Sequence, residues 1–565
     1  MKRTLFTLAV VALAAGCNRS ETPPAAVTQT APPAPAAPAI DQNAILERIK
    51  VLSSDEYEGR APGTKGEDLT VRYLVDEAKK LGLQPGNPDG TYVQNAPLVG
   101  ITGAEARPLT VTKGGQKRAF KWADEVVAWT NRVTEGTSIA DSDMIFVGYG
   151  VSAPEYNWDD FKGIDVKGKT IVVLVNDPQV PDAADPTKLD SKIFNGQAMT
   201  YYGRWTYKYE KAAELGAAGV FIVHETGPAG YPFPVVQGFL GERFGLVAAD
   251  KNMSRASVEG WFSLDTAKAI FTMAGHDFDA LKKQAISRDF TPVPLGLKAS
   301  MGLRNTMRTI DSQNVVAKLE GSDPRMKDEY VVYSSHWDHL GVGAPVNGDA
   351  IYNGALDNAS GVATLLEMAR GFTQVQPRPK RSILFLFVTA EEQGLLGSEY
   401  YATNPLYPLA KTVANINIDG VNQWGRTRDV TVIGMGASDL DDMLREAAAA
   451  QGRTLTADPE SEKGFYYRSD HFNFAKVGVP ALYTDSGVQF VGKDESYSKT
   501  KRDEYTANDY HKPSDEIKPD WDLSGAVEDA QLIFMVGYNV ANTARFPEWK
   551  PGNEFKAARD AMMKR

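Results

Sequence analysis

From about residue 310, the hydrophobic positions alternate between short continuous runs and helical spacing. A short apolar run bounded by loops predicts a buried strand, and apolar positions three and four residues apart predict a helix. The predicted strands are Tyr330–Ser335, Ile383–Val388, Val413–Ile418, Val430–Ile433 and Ala481–Tyr483. The predicted helices are Ala363–Phe372, Leu395–Tyr401, Leu440–Ala450 and Ala526–Val540. This alternation predicts an α/β fold with a mostly parallel, mixed central sheet flanked by helices.

Two further helices are predicted near the start of the folded region. The first begins near Asp41, where apolar residues recur with helical spacing. The second follows Thr64, whose spacing from Glu67 is typical of a capping box, and it ends at Gly82.

Residues from about 135 to 300 have a different pattern. Short predicted strands (Met144–Val147, Thr170–Val175 and Val220–Val223) are separated by aromatic and Gly- or Pro-rich loops, and one helix is predicted at Tyr207–Leu215. We therefore expect a β-rich domain at 131–300, inserted between two parts of the main domain at 41–130 and 301–548. A C-terminal tail is expected at 549–565.

The N-terminus has the pattern of an export signal. Lys2 and Arg3 precede an apolar run, Leu5–Ala15, that is too short to span a bilayer. The end of this run resembles a bacterial lipoprotein lipobox, although Ala14 stands where that family usually has leucine. The resemblance implies a signal peptide at 1–16, lipidation of Cys17, and a Pro- and Ala-rich tether through residue 40. The alternative is a secretory signal with an incidental cysteine, so we expect an exported protein. It would be lipid-anchored in the bacterial cell envelope, at the periplasmic face of the outer membrane, or else periplasmic or secreted.

Charge and cysteine content exclude several classes of function. The 565 residues include 61 Lys and Arg against 72 Asp and Glu, and the resulting charge of −11 is spread along the chain. A nucleic-acid-binding protein would need a clustered basic surface, so no nucleic-acid partner is expected. The single cysteine excludes cysteine-based zinc sites, iron–sulfur clusters and CxxC redox chemistry. Any metal must then be bound by histidine, carboxylate or backbone oxygen.

Side chains that can bind metals follow three of the predicted strands. His336 and Asp338 follow the first strand, Glu391 and Glu392 follow the second, and Asp419 ends the third. The carboxyl ends of parallel strands share one edge of a sheet, where open α/β folds bind ligands. We therefore expect these side chains to lie close together.

Two more candidates, Asp357 and His511, stand in predicted loops. Two imidazoles and three carboxylates suit two zinc ions bridged by one carboxylate. Such a pair of ions, about 3.5–4 Å apart, can bind an amide carbonyl and generate hydroxide between them. An open coordination position on each ion would mark a catalytic site.

Six short motifs occur in a fixed order along the chain. They are His336-Trp337-Asp338-His339-Leu340-Gly341, Leu356-Asp357-Asn358-Ala359-Ser360-Gly361, Thr389-Ala390-Glu391-Glu392-Gln393-Gly394, Asn417-Ile418-Asp419, Ser469-Asp470-His471 and Tyr510-His511. Together they resemble the secreted dizinc aminopeptidases, which are zinc exopeptidases related to glutamate carboxypeptidase and the transferrin receptor. The resemblance covers residues 40–125 and 310–545. The segment between them resembles the protease-associated domain that many members insert.

The resemblance implies a role for each matching residue. His336 and Asp419 would be the terminal ligands of one zinc ion, and Glu392 and His511 those of the other. Asp357 would bridge the two ions, and its peptide bond to the next residue is cis in the family.

Further roles follow from the same resemblance. Glu391 would be the general base that takes a proton from the bridging water and passes it to the leaving amine. Asp338 would hold the far ring nitrogen of His336. Tyr467 would help to stabilise the oxyanion, with Tyr466 as its competitor for that role.

Three other residues, Arg468, Asp470 and His471, are expected in the surrounding substrate pocket, as is Tyr466. His339 is expected to be structural.

The expected function is that of a zinc-dependent aminopeptidase with two Zn²⁺ per chain, which hydrolyses N-terminal residues from peptides through a dizinc-bridged hydroxide. A carboxypeptidase or dipeptidase on the same scaffold is the alternative, and Arg468 points to it because a terminal carboxylate needs a cation. A non-catalytic binding protein is a third possibility, since the transferrin receptor shows that the fold can lose its metals. The expected partners are peptide substrates, and a membrane only through the lipid anchor.

Overall fold

The computed structural model describes residues 37–564. The predicted signal peptide, the predicted lipidation site Cys17 and most of the predicted tether lie outside the described residues. Within 37–564, none of the helices has the length and apolar character needed to cross a membrane.

The predicted α/β fold with a mixed central sheet is confirmed. Four strands lie side by side and run parallel, in the order Ser382–Val388, Tyr330–His336, Thr412–Asn417 and Ala481–Asp485. Antiparallel pairing continues the sheet on both sides. On one side are Val293–Leu319 and Gln84–Pro85, and on the other are Asp429–Ile433 and its parallel neighbour Thr454–Ala457.

Helices cover both faces of the parallel strands, so consecutive strand residues enter different hydrophobic cores. Val331 and Tyr333 belong to one core, and Val332 and Leu384 to the other. The first core includes helices Gln42–Leu52, Gly361–Gln374 and Ser524–Asn542. The second includes Leu396–Thr403 and His471–Lys476. Strands buried on both faces are largely apolar along their whole length, which is why the sequence pattern identified them.

Some of the remaining helices and strands were predicted from the sequence. Several others, which lie in the middle of the chain, were not. The other helices are Lys65–Lys80, Trp205–Glu214, Thr226–Ala229, Phe233–Gln237, Leu264–Ala274, Phe278–Gln284, Leu440–Ala450, Tyr497–Asn508 and Lys556–Met563. The other strands are Val93–Ala106, Leu109–Lys113, Gln116–Phe120, Val126–Trp129, Gly136–Phe146, Ser152–Ala153, Trp158–Asp159, Thr170–Leu174, Gly219–Val223, Arg243–Leu246, Val258–Phe262, Gly341–Val346 and Asp349–Tyr352. Helix Tyr497–Asn508 was not predicted because it buries only Ser498 and has no apolar face.

A long antiparallel ribbon joins the central sheet to the middle segment of the chain. Strand Val293–Leu319 has 27 residues. It pairs with Val93–Ala106 and, nearer its own N-terminus, with Gly136–Phe146. Much of the ribbon is exposed and carries polar residues, so its hydrophobic pattern is too weak to predict a strand of this length. The domain boundary expected at 300/301 falls inside this continuous strand.

The helix expected after Thr64 is Lys65–Lys80, but the predicted capping box is not formed. Thr64 does cap the helix through its hydroxyl. One carboxylate oxygen of Glu67 accepts the N–H of Gly63, one residue before the cap, and the other accepts hydrogen bonds from the hydroxyl of Ser312 (2.8 Å) and the N–H of Gln313 (2.9 Å) in the neighbouring strand. The carboxylate is drawn inward because these donors would otherwise be buried without a partner, and burial raises the pKa of Glu67 to about 7.

The middle segment contacts the main sheet domain through aromatic rings, beside a partly buried carboxyl group. The Tyr201 ring lies 4.9 Å from that of Phe472 and 5.9 Å from that of Tyr467, measured between centroids. The Tyr467 hydroxyl donates a hydrogen bond to Glu554 (2.7 Å). Burial raises the pKa of Glu554 to about 7, so this contact includes a group that titrates near neutral pH.

Glu554 predicts a pH dependence of stability. Its pKa is higher in the folded chain than in the unfolded chain, so the folded state binds more protons between about pH 4.5 and pH 7. We expect the free energy of unfolding to fall as the pH rises through this range. Glu554→Gln should reduce that fall by about 1–3 kcal/mol, measured by urea unfolding at pH 5 and pH 8. Glu548→Gln, at an exposed position nearby, is the control, and equal pH dependence in both variants would contradict the assignment.

Candidate metal centre

The structure brings together the metal-capable residues that follow the parallel strands. His336 is the last residue of its strand, and Asp419 lies two residues beyond the end of strand Thr412–Asn417. Their side chains meet, with the Nε2 of His336 lying 3.1 Å from the Oδ1 of Asp419. The carboxylate of Glu391 approaches the same two residues, and donor atoms of all three lie within 4.8 Å of one another.

Asp357 lies between the two histidines predicted as ligands. Its Oδ1 is 3.4 Å from the Nε2 of His336, and its Oδ2 is 3.3 Å from the Nε2 of His511. The Nε2 of His511 is also 3.0 Å from the Oε2 of Glu392. One carboxylate therefore faces two separate imidazoles, each of which has a second carboxylate beside it. All five residues predicted as metal ligands lie in this cluster.

The donor set fits divalent metal ions. Two ligand atoms at a zinc–ligand distance of about 2.0–2.1 Å and a tetrahedral angle stand about 3.3 Å apart, and the spacings here run from 3.0 to 3.4 Å. The Nε2 of His511 is buried, yet it makes no hydrogen bond to either nearby carboxylate. Although burial lowers the pKa of His336, the charges of Glu391 and Asp419 raise it well above its ordinary value. The cluster is thus strongly negative and suits a cation.

Backbone donors hold the Asp357 loop in place. The Asp515 carboxylate accepts hydrogen bonds from the N–H groups of Leu356 (3.1 Å) and Asp357 (3.0 Å). The Asp357–Asn358 peptide bond is cis, as the resemblance implied. The Asn358 side chain accepts from the N–H groups of Gly361 and Gly420, which ties the loop to the end of a neighbouring strand. Sequence reasoning missed Asp515, because an aspartate whose partners are backbone groups has no motif of its own.

Arg60 joins the loops beneath the cluster. Its guanidinium is buried and donates to the carbonyl oxygens of Trp337 (2.9 Å), Leu52 (2.8 Å), Asn353 (2.6 Å) and Gly354 (2.9 Å). Burial lowers its pKa to about 10, so the group stays charged at neutral pH. Nothing in the local sequence around Arg60 indicated this role, which depends on segments nearly 300 positions away.

Asp338 is placed to position Glu391. Its carboxylate accepts the N–H of Glu391 (3.0 Å) and the N–H of Glu392 (3.3 Å). The nearest acceptor to the Nδ1 of His336 is the Asp338 carbonyl oxygen at 3.2 Å, whereas its carboxylate oxygen is at 3.7 Å. In this geometry Asp338 holds His336 through its backbone, and its side chain anchors the segment that carries the two glutamates.

Glu391 lies at the inner edge of the cluster. Burial and the nearby charges of Asp419 and Glu392 raise its pKa well above the ordinary value, while His336 acts in the opposite direction. Its side chain lies next to the predicted ligands, and 9% of the residue is exposed to solvent. It is therefore accessible to a molecule bound at the cluster.

His339 lies inside the cluster, although sequence reasoning treated it as structural. Its Nδ1 is 2.6 Å from the Oε1 of Glu392, while His511 approaches the other oxygen of the same carboxylate. His339 is fully buried. Glu392 is thereby held between two imidazoles. The position of His339 three residues after His336 was the available signal.

The predicted pocket residues lie around the cluster and not in it. The Tyr467 hydroxyl is directed to Glu554, and this structure does not bring it to the metal-capable groups. The Asp470 carboxylate accepts from the Ser398 hydroxyl (2.6 Å). His471 lies with its ring centroid 4.7 Å from that of Tyr466, and burial lowers its pKa to about 3, so it is neutral.

An aromatic ring that packs against the cluster belongs to a residue that sequence reasoning used only as part of a motif. Tyr510 stacks on His511 with centroids 3.8 Å apart. Burial and then the charge of Asp357 raise its pKa well above the ordinary value. Ser469 contacts the cluster directly, because its hydroxyl donates to the Oδ2 of Asp419 (2.5 Å).

Comparison with known proteins gives a match to peptidase family M28 over residues 314–535. This confirms the predicted resemblance to a peptidase family for that part of the chain. The leupeptin-inactivating enzyme 1 of Streptomyces exfoliatus is 29% identical over 205 residues, 35% of this chain and 41% of that protein. Aminopeptidase NAALADL1 of Mus musculus is 34% identical over 132 residues, 22% of this chain and 16% of that protein. The chain thus spans less than half the length of these curated relatives.

Among solved structures, an aminopeptidase from Aneurinibacillus sp. strain AM-1 is similar over 90% of this chain and 96% of that one, with 19% identity and a TM-score of 0.48.

His339 gives a testable prediction about metal binding. Because it holds the Oε1 of Glu392, His339→Ala should lower zinc affinity by about 10–100-fold at the half of the site that includes Glu392. Competition with a chelator of known zinc affinity measures this directly. His276→Ala, outside the cluster, is the control. Unchanged affinity in a folded His339→Ala variant would show that the contact does not contribute.

Proposed function

From the match of residues 314–535 to peptidase family M28, we propose that this protein is a zinc-dependent aminopeptidase that binds two zinc ions. The observation that carries the proposal is the placement of Asp357, whose two oxygens face two histidines that each have a second carboxylate beside them. The family match, and relatives named as probable zinc metalloproteases, support a metallopeptidase.

Five residues would hold the ions. His336 and Asp419 lie on one side of Asp357, and Glu392 and His511 lie on the other. The bound ions would polarise the scissile carbonyl and lower the pKa of a water molecule. The chain itself contributes their fixed spacing, since Asp357 is held by Asp515 and Glu392 by His339.

Glu391 is the side chain suited to move the proton. It stands among the ligands but is not required in either half of the donor set. Its backbone N–H is bound by the Asp338 carboxylate, which holds the start of the side chain beside the cluster. A base in this place can take a proton from the attacking water and return it to the nitrogen of the leaving amine.

Aminopeptidase activity is favoured over the two alternatives. The relatives include proteins named as aminopeptidases, among them a probable leucine aminopeptidase 2 of Aspergillus oryzae. The carboxylates close together at the site favour a cationic group on the substrate. The free α-amine of a peptide is such a group. A carboxypeptidase or dipeptidase remains the second candidate, because the exposed Arg468 follows Tyr467 beside the site. A non-catalytic binding role is disfavoured because all five predicted metal ligands lie together in one cluster.

Export and anchoring are proposed from the sequence alone. The signal peptide, the lipidation of Cys17 and the location in the cell envelope depend on residues outside those described. The protease-associated domain within 131–300 and its boundaries are likewise proposals, as are the peptide substrates themselves.

Glu391→Gln tests the proposed mechanism. The amide cannot accept the proton of the attacking water, so we expect turnover of an amino-acid p-nitroanilide to fall by about 10²–10⁴. Zinc content should not change, because Glu391 is not one of the five proposed ligands. Initial rates and metal analysis of the same preparation measure both quantities.

Two controls complete this test. Glu495→Gln, at an exposed position, should keep full turnover. Removal of zinc by chelation should abolish hydrolysis, and its return should restore it. An active Glu391→Gln enzyme would overturn the assignment of the base, and hydrolysis only of N-blocked peptides with a free C-terminus would favour the carboxypeptidase.

A further inference from the structure

A cavity of about 110 Å³ lies beside helix Tyr497–Asn508. Its walls come from this helix, from residues 515–521, and from Gln423 and Trp424, which follow strand Thr412–Asn417. None of the five proposed metal ligands lines the cavity, and neither does Glu391. The cavity is therefore separate from the candidate metal centre, and the proposed mechanism does not use it.

The cavity shares one residue with the support of the metal centre. Its wall includes Asp515, whose carboxylate accepts the N–H of Asp357 (3.0 Å). Tyr505 also lines the cavity, with its hydroxyl 3.4 Å from the Oδ2 of Asp515. The exposed Glu504 and Glu516 belong to the same lining, so the cavity can be reached from solvent. A molecule that entered it would lie against the carboxylate that holds the Asp357 loop.

One buried side chain of the cavity wall has no partner. Gln423 is only 3% exposed, and its backbone carbonyl oxygen accepts the N–H of Asp522 (2.9 Å). Neither its Oε1 nor its Nε2 forms a hydrogen bond with another residue in 37–564. Gln94, the other buried glutamine in this range, donates its Nε2 to the Asn404 carbonyl (2.8 Å) and accepts from Asn314 at its Oε1 (3.1 Å). Because a buried amide without partners costs free energy, the Gln423 amide is a group for which a ligand is expected.

The cavity wall carries more negative than positive charge. Five carboxylates and two ammonium groups line it, those of Glu504, Asp509, Asp515, Glu516 and Asp520 and those of Lys501 and Lys518. Each ammonium group is already paired, since Lys501 lies 3.1 Å from Glu504 and Lys518 lies 3.1 Å from Asp509. The cavity therefore favours a cation over an anion.

The aromatic part of the wall indicates what kind of cation fits. Trp424, Trp521 and Tyr505 line the cavity. Aromatic faces attract organic ammonium groups, whereas Ca²⁺ takes about six to eight oxygen ligands. Since a cavity of about 150 Å³ binds benzene, the volume here suits a ligand of roughly five non-hydrogen atoms.

We propose that this cavity is a binding site for a small organic ammonium ion, which donates an N–H to the Oε1 of Gln423 and lies against the aromatic wall. The ion would also compensate part of the excess negative charge around the cavity. This inference goes beyond the proposed aminopeptidase function and does not depend on it.

Three probes of nearly equal size test this proposal. The n-butylammonium ion has both the charge and N–H donors, tetramethylammonium has the charge alone, and 1-butanol has a hydroxyl donor without the charge. Ligand-observed NMR titration of the zinc-loaded protein, at constant ionic strength, should give a Kd of about 0.1–1 mM for n-butylammonium. The other two should bind about 10-fold more weakly, because each lacks the charge or the N–H donors.

Gln423→Leu removes the amide with little change in side-chain volume. It should weaken n-butylammonium binding by about 10–100-fold, because a hydrogen bond to a charged group is lost. Binding of tetramethylammonium should change by less than about twofold, since this ion has no N–H to donate. Turnover of leucine p-nitroanilide should not change, because Gln423 is not part of the metal centre.

Gln94→Leu is the matched control, because Gln94 is also buried but has partners for both side-chain atoms. Its urea midpoint should fall, and its probe binding should equal that of the wild type. The midpoint of Gln423→Leu should stay the same or rise, because an apolar group replaces an amide without partners. An equal fall in both variants would show that the Gln423 amide is already satisfied, and would overturn the proposal.

Several other results would overturn this proposal. Equally tight binding of 1-butanol or tetramethylammonium would do so, as would unchanged n-butylammonium binding in Gln423→Leu. Displacement of n-butylammonium by Ca²⁺ would identify a metal site instead, and no binding of any probe up to about 50 mM would identify a cavity that holds only water.

The measurement of turnover separates this proposal from the proposed function. Loss of anilide turnover in Gln423→Leu would place the cavity in the path of the substrate and overturn it as a separate site. A wild-type protein that binds n-butylammonium but hydrolyses no anilide would contradict the proposed aminopeptidase alone. If Gln423→Leu does not fold, the comparison of the three probes on the wild type decides the question.

Discussion

Electrostatic repulsion among buried carboxylates is the constraint on which the site depends. Five acidic side chains converge at one edge of the sheet: Asp338, Asp357, Glu391, Glu392 and Asp419. Two unit charges 4 Å apart repel by about 4 kcal/mol at an effective dielectric constant of 20, so such a group needs compensation. Part of it comes from imidazoles inserted between carboxylates, and part from backbone N–H groups. Divalent cations are the further compensation for which the donor spacing is suited.

The same constraint explains why the supporting residues bind backbone atoms. Asp515, Asp338 and Arg60 each contact N–H or C=O groups of the loops that carry the ligands. A loop held in this way cannot relax away from its repelling neighbours without leaving buried polar groups unpaired, which costs free energy for each group. The geometry of the cluster is therefore maintained by the loops beneath it as well as by the cluster itself.

The middle segment is connected to the central sheet by a continuous strand and contacts the main domain. The long strand Val293–Leu319 runs from it directly into the central sheet, and the Tyr201 ring lies 5.9 Å from that of Tyr467, in the loop that precedes Ser469. A continuous strand fixes the position of the middle segment relative to the sheet more firmly than a flexible linker would. This is why a side chain from the middle of the chain can take a defined place beside residues near its end.

Most helices and strands of the main domain could be predicted from the sequence. Strands covered on both faces are apolar throughout, and the helices between them have one apolar side. The five proposed ligands could be read as well, since each follows a strand end or stands in a short motif, and the carboxyl ends of parallel strands necessarily meet. Tertiary structure alone decided the rest. Only one oxygen of Glu67 binds the backbone at the helix start, because a neighbouring strand offers donors to the other, and the Tyr467 hydroxyl is directed to Glu554, 87 positions later. Asp515 and Arg60 have partners distant in sequence, and such partnerships arise only when the folded chain brings charges and buried polar groups together.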